Sequence, residues 1–188
     1  RTDQTTTTND KIYVYGAQLE ESSFATSYIP TNGEVNGVTR LADTASGAGS
    51  SDLINSTEGV LYAEISALAD DLTFREIALS DGTRNNTVEL KFTNNSNEIQ
   101  VVVRANGVVQ TARATSAYTI TNFNKIAFKY KLNNFSFWVN GVNIATDPSG
   151  NTPIGLSELS FNDGFGDNFY GKTKCVAVFK EALTDAEL

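Results

Sequence analysis

Few residues in this chain are of types that could do chemistry, and their placement narrows what that chemistry could be. There is no histidine, which removes Ser-His and Cys-His nucleophilic pairs and every His-ligated metal site. The one cysteine, Cys175, permits no internal disulfide. Its neighbours Val176, Ala177 and Val178 predict a buried strand thiol rather than an activated nucleophile, which needs an electropositive, partly open setting. Glycoside hydrolysis needs two carboxylates on one face, about 5–5.5 Å apart in a retaining enzyme. Glu64, Glu76 and Glu89 each lack an acidic partner two residues on, and the adjacent Glu20 and Glu21 would point to opposite faces of a strand. No turnover of a polysaccharide is expected.

Two other groupings suit binding. Asn162-Asp163-Gly164-Phe165-Gly166-Asp167-Asn168 places hard oxygen donors on a glycine-flexed loop, the donor type that suits Ca²⁺. Asp163 and Asp167 are the pair expected to hold it. The spacing is not that of an EF-hand, and Asp and Asn also populate such loops for turn geometry alone. Asp70, Asp71 and Asp81 read as turn residues of that kind. Trp138 alternates against Phe135, Phe137 and Val139, so it shares a face with Ser136 and Asn140. An aromatic ring beside an amide can stack and anchor a sugar. Trp138, Asn140 and Tyr170 are therefore the candidate ligand-binding residues, with Phe165 a further aromatic near the acidic loop. The competing reading packs Trp138 against a second sheet or a neighbouring domain.

The element that must position Trp138 is the central stretch, Lys125 to Val142. Ile126, Phe128, Tyr130 and Leu132 alternate with Ala127, Lys129 and Lys131, the period of a half-buried strand. Asn133-Asn134 breaks the run, Phe135–Val139 resumes it, and Asn140-Gly141 predicts a two-residue hairpin turn. Further strands are predicted at Gly59–Ile65, Phe74–Leu79, Thr87–Phe92, Glu98–Arg104, Val108–Ala114, Leu156–Phe161 and Phe169–Phe179, separated by turn dipeptides such as Asp81-Gly82 and Asn106-Gly107. Ile144–Gly150 reads as loop. Phe128, Tyr130, Phe137, Leu90, Val103 and Phe161 are the expected core. Short strands at regular spacing, without βαβ alternation, predict an all-β, two-sheet antiparallel sandwich.

Composition agrees with this and limits the partners. Lys and Arg number 14 against 22 Asp and Glu, a net charge of −8, which disfavours nucleic acid and anionic membranes. Lys125, Lys129 and Lys131 form the densest basic group and read as a solvated strand face. No apolar run approaches the ~18 residues of a membrane span. The Asn-x-Ser/Thr triplets at Asn55, Asn85, Asn94 and Asn134 are of the number that chance supplies in such a composition. An N-terminal strand, Lys11–Leu19, stands apart, before breakers at Pro30, Asn32-Gly33 and Asn36-Gly37. Residues 1–51 are thus read as the terminal strand of a preceding β module plus linker, and 52–188 as the main domain. Thr184-Asp185-Ala186-Glu187 is a capping box with Leu183 and Leu188 beside it. A start at Arg1 and an end inside a helical first turn suggest a piece of a longer chain.

Certain segments resemble a known family. Tyr15–Glu20, Ser27–Thr31 and Val38–Asp43 resemble a connector of bacteriophage tail and virion proteins. That connector joins a carbohydrate-binding-module-like sandwich to a concanavalin A-like (laminin-G-like) jelly roll. Gly59–Glu64, Phe135–Gly141, and Phe169–Lys172 through Phe179–Leu188 resemble that domain's opening strand, its aromatic strand and hairpin, and its last strand with the exit into a helix. The resemblance implies a jelly-roll fold and a non-catalytic module of a tail fibre, spike or head fibre on the virion surface. Its implied partners are a host-surface glycan and other virion subunits, in a homo-oligomer. A ligand-free structural domain of the same virion protein is one alternative. The accessory domain of a secreted polysaccharide-processing enzyme is the other.

Overall fold

The computed structural model describes residues 17–19, 28–30, 32–34, 37–38, 48–162 and 167–188. The chain divides into two compact units, Arg1–Asp43 and Thr44–Leu188. In the first unit, Ile29 N–H donates to the Gln18 side chain at 2.6 Å. Asn32 and Gly33 form a turn with φ of 49° and 92°. Most of the predicted Lys11–Leu19 strand lies outside the described residues; its last three, 17–19, carry no regular structure.

The second unit is built of strands, with no helix among the described residues. In chain order they are β1 (Glu58–Ala67), β2 (Arg75–Ser80), β3 (Thr87–Phe92), β4 (Ile99–Ala105), β5 (Val108–Thr115), β6 (Asn124–Lys131), β7 (Phe135–Val139), β8 (Val142–Asp147), β9 (Glu158–Ser160) and β10 (Gly171–Phe179). They form two antiparallel sheets of five strands, ordered β10-β1-β6-β7-β8 and β5-β4-β3-β2-β9. These are called here the β1 sheet and the β3 sheet. This unit is an all-β jelly-roll sandwich.

Alternation decides which way each strand faces. Leu61, Ala63 and Ile65 of β1, Ile126, Phe128 and Tyr130 of β6, and Phe135, Phe137 and Val139 of β7 point inward from the β1 sheet. They meet Ile77, Leu79, Val88, Leu90, Phe92, Ile99, Val101 and Val103 from the β3 sheet. Register fixes the pairs: Phe128 lies opposite both Leu61 and Phe137. The Tyr130 hydroxyl, enclosed by this core, donates to the Asn55 carbonyl at 2.7 Å. Burial of its hydroxyl raises its pKa above the ordinary tyrosine value.

Four expectations need correction. Ile144–Gly150 is not all loop, because Val142–Asp147 is β8, the return strand of the Asn140-Gly141 hairpin. As an edge strand with a register shift opposite Phe137/Trp138, β8 buries little and shows no clean alternation. Leu132 is exposed because β6 ends at Lys131 and the chain turns there. Phe161 is only partly buried, packed at the margin of the core beyond the end of β9. Cys175 is exposed, not buried. It lies on edge strand β10 opposite Glu64, on the face turned away from the core.

Candidate functional site

Four places bring polar or aromatic side chains together. The densest is the face of the β3 sheet turned away from the core. Because Val88, Leu90 and Phe92 point inward, Thr87, Glu89 and Lys91 point the other way. Pairing sets Glu76 of β2 opposite Lys91, and Arg104 of β4 opposite Thr87. Glu89 accepts hydrogen bonds from Lys91 Nζ at 2.8 Å, Arg104 Nε at 3.0 Å and Thr87 Oγ1 at 2.7 Å. Lys91 Nζ also lies 3.4 Å from Glu76 Oε2. Two carboxylates therefore share one ammonium on one sheet face. Spacing within one strand does not reveal them, because they sit on neighbouring strands and only the register brings them together.

Glu89, Glu76 and Lys91 are buried. Burial by itself raises the Glu89 pKa, but the Lys91 charge and hydrogen bond, the Thr87 hydroxyl and the Arg104 charge outweigh it and hold the carboxyl below its ordinary range. At the rim, Ser80 Oγ donates to Glu158 Oε1 at 3.0 Å. Asn86 Nδ2 donates to Asp81 at 2.8 Å, while its Oδ1 accepts from Asn106 N at 3.1 Å and Ile154 N at 3.2 Å. One amide thus ties the β4–β5 hairpin and the 150s loop to this end of the sheet.

The second place is the outward face of the β1 sheet, which carries Trp138. Its ring is partly buried, and Nε1 donates to Ser136 Oγ at 3.0 Å. Trp138 lies opposite Ala127, Ala127 opposite Tyr62, and Asn143 of β8 opposite Trp138. The Tyr62 hydroxyl has a raised pKa, through burial first and then the neighbouring Glu64 and Cys175. Three lysines of this sheet are engaged, Lys129 with Asp185 at 2.8 Å, Lys131 with Glu58 at 2.7 Å and Lys174 with Glu64 at 3.0 Å, while Lys125 and Lys172 are exposed. Beside Tyr62 and Ala127 is a cavity of about 160 Å³. The chain segment after β10 forms its other wall through Leu183 and Leu188. That segment opens with the predicted capping box, Thr184 N and Oγ1 both donating to Glu187, in a turn rather than a helix.

Asn140 is placed close to Trp138 in sequence but has a different task. Its φ is 54°. Its Oδ1 accepts from Lys125 N at 2.9 Å and its Nδ2 donates to Asn124 Oδ1 at 3.0 Å. The side chain is thereby committed to the turn. Tyr170 is exposed and directly precedes β10, so β1 and β6 separate its edge of the sheet from β7 and Trp138. The structure does not bring Tyr170 and Trp138 together.

The third place is the acidic loop. Asp163 lies outside the described residues. Asp167 is partly buried, and its carbonyl accepts from Glu76 N at 3.1 Å. No group of three or more metal-ligating acids and thiols occurs among the described residues. The fourth is a cleft at the end of the sandwich, lined by Ser51, Asn55, Ser56, Thr57, Leu156 and Lys180 among others. Its polar groups largely hold the fold: Asn55 Nδ2 donates to the Lys180 carbonyl at 2.9 Å, and Leu156 N donates to Ser56 Oγ at 2.9 Å.

Residues 61–188 match the family model described as the concanavalin A-like lectin/glucanases superfamily. The chain belongs to that superfamily. A search of curated proteins found no match. Among solved structures, the fold is similar to the Ruminococcus gnavus IT-sialidase CBM40 bound to alpha2,6 sialyllactose. The TM-score is 0.60 at 16% identity, over 77% of this chain and 92% of that one. It is also similar to the leech intramolecular trans-sialidase, with a TM-score of 0.58 at 20% identity. That match covers 78% of this chain and 26% of the enzyme. The heptameric SAP-like pentraxin of Limulus polyphemus is similar at a TM-score of 0.55 and 10% identity, over 76% of this chain and 71% of that one. At these identities the likeness is one of fold.

Proposed function

We propose that this chain is a non-catalytic carbohydrate-binding module. The observation that carries the reading is the burial of its paired carboxylates around one ammonium, in a superfamily whose name covers both lectins and glucanases. A glycosidase keeps one of its two carboxyls protonated to serve as general acid. Here Lys91 sits between Glu76 and Glu89, and Lys91, Thr87 and Arg104 favour the ionised form of Glu89. A buried, charge-compensated cluster of this kind braces a sheet. Support for a sugar ligand comes from the fold's likeness to modules determined with alpha2,3 and alpha2,6 sialyllactose bound.

The setting we propose is an extracellular one on a virion appendage, where symmetry repeats the module against a host-surface glycan. It rests on the connector resemblance at Tyr15–Glu20, Ser27–Thr31 and Val38–Asp43. A second setting, the accessory domain of a secreted polysaccharide-processing enzyme, is favoured by the likeness to a sialidase module. With a net charge of −8, an anionic glycan would need a bridging cation, for which Asp163 and Asp167 are the proposed ligands. The test is a glycan array probed with the whole chain, together with a reducing-end assay on every glycan that binds. Saturable binding without product supports the proposal. Release of reducing ends, or no binding to any glycan, overturns it.

A further inference from the structure

The proposal of a glycan-binding module does not say where the sugar sits. We infer that a neutral, N-acetylated saccharide binds on the outward face of the β1 sheet, across Tyr62, Ala127, Trp138 and Asn143. This inference rests on the carbohydrate-binding reading and adds its site and ligand class. Register lines the four residues up across adjacent strands β1, β6, β7 and β8. Tyr62 and Trp138 therefore stand two strand spacings apart, about 9–10 Å. The residue between them is alanine, so the row is a trough with an aromatic wall on either side. Aromatic walls with a few placed polar groups are the usual lining of a small-molecule site, and the exposed Asn143 amide at the end of the row offers both donors and an acceptor.

Two further observations choose the ligand. The cavity of about 160 Å³ opens beside Tyr62 and Ala127, between Val60 and Phe179 on the sheet and Leu183 and Leu188 of the following segment. A ring stacked in the trough can direct one substituent into it, and an acetamido group suits a lining that is apolar except for Glu187. The net charge of −8 argues for a neutral sugar. On this face Lys129, Lys131 and Lys174 are each held by a carboxylate, which leaves Lys125 and Lys172 as its exposed cations.

The chain has one tryptophan, so its emission reports directly on position 138. Titration with N,N′-diacetylchitobiose is expected to change that emission saturably. Cellobiose, which lacks the acetamido groups, is expected to bind at least tenfold more weakly, as is 3′-sialyllactose. Tyr62→Ala and Asn143→Ala should each weaken chitobiose binding at least tenfold while the melting curve keeps its cooperativity. Leu183→Phe, which fills the cavity, should erase the preference for chitobiose over cellobiose. Calorimetry with Trp138→Ala checks the site without the optical probe. If the array finds a ligand whose binding survives Tyr62→Ala and Trp138→Ala, this inference is overturned and the module reading stands. If neither the array nor the tryptophan responds to any sugar, both fall.

Discussion

The charged residues on the outward face of the β3 sheet contribute to the molecule's response to pH. Glu89 is fully buried and holds three donors, two of them cationic. Replacing it by glutamine would leave Lys91 with Glu76 as its carboxylate partner, and Arg104 without the charge it faces. Removing one partner of a buried pair costs about 3–5 kcal/mol, and Glu89→Gln is expected to lower stability by that order in urea unfolding. The same carboxyl has a depressed native pKa, as does Asp71, through the Arg75 hydrogen bond first. A depressed carboxylate contributes stability that is present above its unfolded pKa and is lost as the pH falls through its native pKa. The urea midpoint should therefore hold near neutrality and fall progressively below about pH 5, with a shallower fall in Glu89→Gln. A midpoint that rises on acidification would contradict the assignment. The core residues act through packing instead. Phe137 is fully buried opposite Phe128, and Phe137→Ala should cost about 3–5 kcal/mol. A cost under about 1 kcal/mol would mean that this face of β7 is not in the core.

At the scale of elements, close approaches show where a strand could not have carried another residue. A Cβ on Gly59 of β1 would lie 2.6 Å from both the Phe179 carbonyl and the Tyr130 hydroxyl. Gly59→Ala must push β10 or the Tyr130 ring aside, and a loss of about 1–3 kcal/mol is expected. Asn140 makes the turn between β7 and β8 at a left-handed φ of 54°. Asn140→Ala should cost about 1–2 kcal/mol for that backbone conformation. Asn140→Gly should recover most of it and leave glycan binding unchanged, which separates a turn residue from a ligand-binding one. These elements were legible to different degrees for physical reasons. β3 was read to the residue, because Val88, Leu90 and Phe92 face a dry core while Thr87, Glu89 and Lys91 do not. β8 was not, because an edge strand with a register shift buries too little to impose a period. Trp138 was legible as an outward aromatic from its own strand. Tyr62 and Asn143 were not, because cross-strand register decides who stands beside it, and the same holds for Glu76 and Glu89.

At the scale of the whole molecule, the sheet edges bear on how copies could assemble. An open edge strand invites pairing with another chain, and proteins blunt it with charge, short length or capping of its backbone groups. All of these devices are present. β10 carries exposed Lys172 and Lys174, and β9 is only three residues long. On β5 the Val108 carbonyl accepts from Gln110 Nε2 at 3.2 Å and the Ala112 carbonyl from Arg113 Nη1 at 2.8 Å. On β8, Asp147 at the strand's end is paired to Arg113 at 2.6 Å. Edge-to-edge pairing of this unit is therefore disfavoured, and a net charge of −8 adds repulsion between copies. The chain by itself should sediment at its monomer mass of 20.3 kDa at micromolar concentration. A single trough that holds one or two sugar rings with few hydrogen bonds supplies modest affinity, on the order of millimolar. In the proposed setting, copy number would then come from a larger assembly that displays the module. Linking several copies makes each later contact intramolecular and can raise apparent affinity by ~10²–10⁴ with no new interaction. Captured on a tetravalent support, the chain should dissociate from a glycan-coated surface far more slowly than the free monomer, and Tyr62→Ala should abolish the gain in both formats. Tight binding by the free monomer, or a stable dimer in sedimentation, would show that affinity is built into one copy or into a contact between two, and not into their number.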